Sequence, residues 1–282
     1  MRSVLYMPAS NLKAIAKART LPVDAVILDL EDAVAPAAKG IAREQACAAV
    51  REGGFGARAV IVRINGKHTA WHEEDLAAVV ACAPDGVLVP KVDTPEDVII
   101  LDRALAAVPQ IELWAMIETC TSLGNLFAIA ALKATTKLST FVLGANDLVS
   151  EMKARLSKDR APLHFALSMA VTAGRANDLA ILDGVHNDLD DLEGFERECH
   201  QGVTFGFDGK TLVHPKQIEP CNRVFAPSME DIAWSRVLIA AFELPENTSA
   251  GAIRLQGRMV ERLHLDHARR VVAVAELLGG SR

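Results

Sequence analysis

Short runs of apolar, often β-branched residues recur along the chain, at 3–7, 25–31, 59–65, 86–92, 112–118, 140–144, 180–185 and 210–214. Such runs, bounded by Gly, Pro, Asp or Asn, predict strands. Between them, at 11–18, 37–51, 73–81, 95–107, 122–134, 161–176 and 192–201, apolar positions recur every three or four residues. That spacing predicts helices with one buried face. Strands alternating with helices imply right-handed βαβ units and a parallel sheet. Eight such units closing on themselves predict an α/β fold, a (β/α)8 TIM barrel. The competitor is an open doubly wound sheet, but no GxGxxG or Walker-type loop supports it. After Pro215 the alternation stops: 229–242 reads as a helix, 244–251 as a polar loop and 256–278 as a final helix, with no strand for a ninth unit. The expected organisation is a barrel over 1–225 and a C-terminal helical extension over 226–282. That extension would cap the barrel, form a lid or pack on a neighbouring subunit.

Composition narrows the function classes. Half of the 282 residues are apolar and only 5% are aromatic, which suits small-residue helix–sheet packing. The formal net charge is −6 and the basic residues are scattered, so nucleic acid is excluded as the main partner. The five cysteines are widely separated and include no CxxC, which argues against a disulfide framework or a zinc cluster. The first residues reach Pro8 and Asn11 too soon for a signal-peptide core, and no apolar run approaches the roughly 18 residues of a membrane span. A cytoplasmic protein with no membrane partner is expected.

The strongest chemical signal is positional. Nearly every predicted strand ends in polar residues: Ser10 after the first, Asp29, Glu31 and Asp32 at the second, then Arg63 with Asn65, Lys91, Glu118, Asp147, Asp183 with His186, and His214. In barrels the C-terminal strand ends build the active site. Charges gathered on one rim would be desolvated at a cost unless they served a ligand or one another. Glu118 and Asp147 close adjacent strands and read as a pair for Mg²⁺, which takes one or two protein carboxylates and fills its octahedron with water and substrate oxygens. The competing reading is an ion-pair network answered by Arg63 or Lys91. Asp29 and Glu31 share one face of their strand. They read as acids that orient metal-bound water or transfer a proton, or else as a cluster bonded to helix amides. Arg63 suits an oxyanion or a substrate carboxylate, with an internal salt bridge as the alternative. Lys91 reads as a charged member of the network in preference to a Schiff-base lysine. His214 and Gln217 read as structural. Arg2 and Lys13, near the first strand, are weak candidates for contacts to coenzyme A.

Read in order, the stretches RSVLYMPASN, DAVILDLEDAVAP, VIVRIN, VLVPKV, AMIET, VLGANDL and GFDGKTLVHPKQIEPCNRVFAPS resemble the HpcH/HpaI aldolase/citrate lyase family, and within it the citrate lyase β-subunit-like, acyl-CoA ester lyase branch. The resemblance covers most of the chain. It implies a homo-oligomeric barrel, a trimer or hexamer, that binds Mg²⁺ (or Mn²⁺) through Glu118 and Asp147. It also implies that Arg63 contacts the substrate and developing enolate, and that CoA or an acyl carrier protein brings the acyl half as a thioester. The family places an aspartate in a Gly-x-Met-[Ile/Val]-Asp stretch of the C-terminal segment, lying over a neighbouring subunit's site. Here the stretch is Gly257-Arg258-Met259-Val260-Glu261, followed by Arg262. The expected activity is carbon–carbon cleavage or formation, joining a keto acid and an acyl-CoA in a β-hydroxyacyl thioester such as malyl-, citramalyl- or citryl-CoA. Arg63, Glu31 and Glu261 would be catalytic, and Arg63, Glu118, Asp29, Asp32 and Lys91 would bind substrate. The alternatives are a metal-dependent aldolase on free hydroxy-keto acids and a carrier-dependent subunit of a larger lyase.

Overall fold

The computed structural model describes residues 1–279. Eight strands form a closed parallel barrel in chain order. They are β1 (Ser3–Pro8), β2 (Ala25–Asp29), β3 (Ala59–Arg63), β4 (Gly86–Val89), β5 (Glu112–Ile117), β6 (Leu138–Leu143), β7 (Ala180–Asp183) and β8 (Gly209–Leu212). β8 closes the barrel on β1, with Val4 opposite Thr211. The helices between strands include α1 (Leu12–Ala18), α2 (Lys39–Glu52), α3 (His72–Cys82), α4 (Pro95–Ala104), α5 (Cys120–Ala131), α6 (Ala145–Glu151), α7 (His164–Arg175), α8 (Leu192–Phe205) and α9 (Ile218–Val224). The (β/α)8 expectation holds, strand for strand. Helices α6 and α9 are one-to-two-turn pieces that periodicity over longer windows passes over.

Because side chains alternate across a strand, each strand serves two cores. Val4, Ile27, Ile61, Leu88, Trp114, Val142 and Leu182 meet inside the barrel. Residues of opposite parity, such as Leu5, Val26, Val62 and Phe141, pack against the helices in the larger outer core. The same parity sends Tyr6, Asp29, Arg63 and Met116 inward above the apolar plug, toward the C-terminal mouth. Arg2 instead pairs with Asp24 at 2.8 Å, at the opposite, N-terminal end of β1 and β2, so it is no part of the mouth.

Parity also removes Asp183 from the rim. Leu182 is the inward residue of β7, so Asp183 points to the helix layer, where its carboxylate abuts Gly202 of α8. There it meets Arg160 Nη1 at 2.8 Å and Lys210 Nζ at 2.9 Å, with Glu198 3.1 Å from the same ammonium. Burial opposes ionisation of Asp183, but Lys210 and Arg160 outweigh it and hold the carboxyl below the usual range. His186 leans on this cluster, 3.0 Å from Glu198. These residues are a buried ion network between barrel and helices, not the rim charges expected from the sequence.

The chain from Ala226 onward forms a second compact unit. It contains α10 (Met229–Glu243), a two-stranded antiparallel hairpin of β9 (Ala252–Leu255) and β10 (Arg258–Glu261), and α11 (Arg262–Gly279). Leu238, Phe242, Val260, Leu265 and Ala268 make its small core. The hairpin corrects the expectation that the last helix begins at 256, since α11 starts at Arg262; its strands form a separate sheet and add no ninth unit to the barrel. Gln256 (φ 48°) and Gly257 (φ 82°) form the two-residue turn. Two consecutive left-handed residues match the right-handed strand twist of a hairpin, and Gly supplies one of them without strain. Among the described residues no helix is long and apolar enough to cross a membrane.

The substitution Asp183→Asn leaves Lys210 and Arg160 under-compensated in a dry site, and should lower unfolding free energy by about 3–5 kcal/mol in urea titrations. In the native protein this contribution is complete above the ordinary Asp value of 3.8 and is lost as pH falls through the lower, folded value. The gap between native and variant stability should therefore narrow on acidification.

Candidate active site

Strand pairing brings the first functional pair together. Asp29 and Arg63 are cross-strand partners in the β2–β3 register, both facing inward. The guanidinium grips the carboxylate with two bonds, Nε to Oδ1 at 2.6 Å and Nη2 to Oδ2 at 2.7 Å. Asp29 also accepts the backbone N–H groups of Glu31 (2.9 Å) and Ala33 (3.1 Å), which folds the β2–α2 loop over the mouth. Both Asp29 oxygens are thus taken by the protein, and the residue has no exposure. It orients Arg63 and the loop, and offers no free lone-pair direction toward a substrate.

Arg63 keeps Nη1 for the cavity side. Glu31 Oε2 lies 2.8 Å from it and Asp32 Oδ2 3.5 Å. The Tyr6 ring lies 4.8 Å beneath the guanidinium, a cation–π contact. The Oε2 atom of Glu31 is buried and makes no aligned hydrogen bond. Burial above all, opposed by Arg63 and reinforced by Asp32 and Glu118, pushes the Glu31 carboxyl up to about 8. A carboxyl poised in that range can hold or release a proton near neutrality. The Asp32 side chain is 69% exposed and lines the open edge.

Opposite stand the two carboxylates read as a metal pair. Glu118 follows β5, whose last residue Ile117 is register partner of Leu143, so Glu118 stands beside Gly144. A Cβ on Gly144 would collide with the Glu118 carboxylate and its Cβ, so glycine is required for the acid to lie there. Asp147 is in the first turn of α6. The two acids converge: Lys91 Nζ is 2.9 Å from Asp147 Oδ1 and 3.8 Å from Glu118 Oε1. The Lys91 backbone has φ 52°, and its N–H donates to Glu118 Oε1 at 2.9 Å. Burial, opposed by Lys91 and reinforced by Asp147, pushes Glu118 up to about 7. Two carboxylates with one side open, short of positive charge, fit a hard divalent cation that completes its shell with water and substrate oxygens. Among the described residues no three His, Cys, Asp or Glu side chains gather into a full protein cage for an ion.

Asp29, Asp32, Arg63, Glu118 and Asp147 line one cavity of about 280 Å³, whose wall between Arg63 and Asp147 is completed by Met116, Val185, Thr211 and Val213; Glu31 and Lys91 are joined to it through their pairing with Arg63 and Asp147. The structure therefore brings together Asp29, Glu31, Asp32, Arg63, Glu118 and Asp147, with Lys91 reaching in between the two metal-type acids. Asn65 is structural: it bonds Asp75 Oδ2 (2.5 Å) and the Leu30 carbonyl (3.0 Å). His214 and Gln217 are structural too, capping the turn after β8. Glu261 belongs to the C-terminal unit, where its N–H donates to His264 Nδ1 at 2.9 Å. Sequence reading missed Tyr6, though it is the sole tyrosine of the chain, two residues before the end of β1. It also missed Lys39, whose position at the start of a helix, where acids are the rule, was the available signal.

Replacing Arg63 by Met should leave Asp29 buried without its cation and cost about 3–5 kcal/mol of stability in urea unfolding. Adding Asp29→Asn to the same protein should recover more than half of that loss. A simple sum of the two single losses would show that the pair is not coupled.

Three comparisons bear on this site. The model of the HpcH/HpaI aldolase/citrate lyase family matches residues 2–215. The (3S)-malyl-CoA thioesterase of Cereibacter sphaeroides (strain KD131 / KCTC 12085) is 42% identical over 281 residues, covering 100% of this chain and 96% of that protein. Citrate lyase subunit beta of Escherichia coli (strain K12) is 31% identical, covering 99% and 94% respectively. Among solved structures, protein CitE from Mycobacterium tuberculosis in complex with magnesium, acetoacetate and coenzyme A superposes with a TM-score of 0.79 at 30% identity, covering 98% of both chains. With a family model spanning the barrel and full-length relatives above 30% identity, the chain belongs to the HpcH/HpaI aldolase/citrate lyase family.

Proposed function

We propose that the protein is a Mg²⁺-dependent carbon–carbon lyase that cleaves or forms a β-hydroxyacyl-CoA thioester of the malyl type, with a keto acid and an acyl-CoA as the other side of the reaction. The observation that carries this reading is the mouth of about 280 Å³ in which Arg63, with Glu31 held against it, faces the convergent carboxylates Glu118 and Asp147. Two full-length relatives, a (3S)-malyl-CoA thioesterase and a citrate lyase subunit, support the substrate class. A structural relative holding magnesium, acetoacetate and coenzyme A supports the cofactors.

Glu118 and Asp147 would hold the Mg²⁺. When bound, the ion supplies a Lewis acid for the hydroxyl and carboxylate oxygens of the substrate. In the cleavage direction Glu31 takes the hydroxyl proton, the carbon–carbon bond breaks, and its electron pair passes into the thioester as an enolate. Arg63, fixed by Asp29, stabilises the oxygen on which that charge develops. Asp32 and Lys91 bind the polar ends of the substrate at the open edge of the mouth. Glu261 of a neighbouring subunit in a trimer or hexamer delivers a proton to the enolate carbon, completing the acyl-CoA. The side-chain carboxylate is retained relative to the family's aspartate, one methylene further from the chain.

A second reading has its own support, in the 42% identity to a (3S)-malyl-CoA thioesterase over the whole chain. In it, water attacks the thioester carbonyl and CoA leaves as the thiol, giving malate from malyl-CoA. One experiment separates the two. Malyl-, citramalyl- and citryl-CoA are each incubated with the protein, with Mg²⁺ and with excess chelator, and keto acid, acyl-CoA and free CoA thiol are measured. Chelator-sensitive release of keto acid and acyl-CoA in equal amounts is the expected result. Free thiol without keto acid establishes hydrolysis instead, and full turnover in chelator overturns the role given to the metal pair.

Sharing of the site between subunits has a separate test. Glu118→Gln and Glu261→Gln should each lower kcat by about 10²–10³-fold. Refolding the two inactive variants together should restore a substantial fraction of native activity if Glu261 works across subunits. Absence of recovery assigns Glu261 no part in a neighbour's reaction.

A further inference from the structure

Lys39 opens α2, directly after the loop that carries Glu31 and Asp32. It is 6% exposed. Two physical effects oppose an ammonium at this place. Desolvation disfavours the charged form, and it is the largest influence lowering the Lys39 pKa. The first turn of a helix carries the positive end of the helix dipole, which repels a cation. Asp29, Glu31, Asp75 and Asp32 support the charge from a distance, but Asp29 and Glu31 pair with Arg63 and Asp75 pairs with Arg43. Among the described residues no carboxylate pairs with Lys39.

What the ammonium holds is main chain. Nζ donates to the carbonyl of Leu30 at 2.9 Å and to that of Glu31 at 2.8 Å. The Trp71 ring covers its remaining side, with the centroid 5.2 Å away. The Leu30 carbonyl is bonded a second time by Asn65 Nδ2. From the barrel side, the Asp29 carboxylate takes the N–H groups of Glu31 and Ala33. The peptide groups around Glu31 are therefore gripped between an anion that collects their N–H donors and a cation that collects their carbonyls. Lys39 does not line the cavity, so any influence on the reaction passes through this loop.

We propose that Lys39 is a positioning residue: its ammonium, caged by Trp71 and the carbonyls of Leu30 and Glu31, fixes the β2–α2 loop so that the Glu31 carboxylate stands at Arg63 for proton transfer. The proposal rests on Glu31 being the proton-transfer group of the lyase reaction. Lys39 acts on the Glu31 side of the mouth only, because Glu118 follows β5 and Asp147 lies in α6. Loss of the cage therefore lowers kcat, touches substrate binding only through the exposed Asp32 of the same loop, and leaves metal affinity in place.

The test uses Lys39→Met, which keeps the apolar stem, Lys39→Gln, which keeps a donor without the charge, and Trp71→Leu, which opens the cage from its aromatic side. On whichever thioester the native protein turns over, Lys39→Met should lower kcat about 10–100-fold, the loss expected from a small misplacement of a reacting group. The Mg²⁺ dissociation constant from calorimetry should stay within about twofold, since Glu118 and Asp147 are untouched, and KM should change less than kcat, since only Asp32 of the substrate contacts lies on this loop. Lys39→Gln should recover a large part of kcat. Hydrogen exchange of the segment 30–35 should quicken in Lys39→Met while the strands keep native protection. If Lys39→Met does not fold, Trp71→Leu should show the same separation of kcat from metal affinity to a smaller degree. Native kcat in the folded variant overturns the proposal. So does a loss spread equally over kcat, KM and metal affinity with exchange raised throughout the barrel, which is the signature of a merely structural residue. If the native protein turns over none of the thioesters, the lyase reading fails, and unchanged exchange at 30–35 then overturns the Lys39 cage independently.

Discussion

Asp29 and Arg63, locked side by side on neighbouring strands, are the interaction on which the mouth of this barrel depends. A guanidinium inside a barrel plugged by Ile27, Ile61, Trp114 and Val142 is tolerable only with its charge answered at short range. The two-point grip on Asp29 answers it and fixes the plane of the fork. The remaining nitrogen is then aimed at Glu31. Because the same aspartate folds the following loop through two backbone N–H groups, one carboxylate sets the place of both the cation and the acid beside it. The rest of the mouth is arranged around that fixed point.

The chain keeps two separate accounts of buried charge. Inside the mouth, carboxylates outnumber cations, and Glu31 and Glu118 are both held above the ordinary range. Outside the barrel, Arg160 and Lys210 balance Asp183 and Glu198, and Asp183 is held below it. The contrast separates a site prepared for a positively charged or proton-donating ligand from a network whose charges balance one another. Neighbouring residues of one strand, Leu182 and Asp183, or Lys210 and Thr211, face these different environments because a strand alternates its sides.

That alternation explains how much was legible in the sequence. All eight strands could be read: seven carry apolar runs that stand out between helical spacings, and β8, Gly-Lys-Thr-Leu, was marked by its place after the last helical stretch and before His214-Pro215. The gathering of Glu31, Arg63, Glu118 and Asp147 followed from their places at strand ends. Asp183 was misplaced because a position near a strand end does not by itself say which face a residue takes. The parity had to be counted back to an inward residue such as Leu182. The hairpin of the C-terminal unit was hidden by Gln256-Gly257, a turn pair less familiar than Asn-Gly, inside a stretch whose Arg and Leu content favours helix. The Lys39 cage lay beyond sequence reading, since its partners are backbone carbonyls and carry no residue-type signal.

The lining of the cavity divides by strand as well as by chemistry. Acids and cations enter from β2 to β5 and from α6, each tied to another charged group or to backbone. On the β7 and β8 side the wall is Val185, Asn187, Thr211 and Val213, residues that hold no ion pair. A lineage diversifying from this barrel can therefore exchange this uncharged wall, altering the bulk and polarity of the acyl or keto-acid portion it admits, without disturbing the groups that move protons and electrons. Exchange on the opposite side is restricted, because each residue there is also part of another's support. The reaction is the inherited trait of such a scaffold, and the choice of substrate is the one open to change.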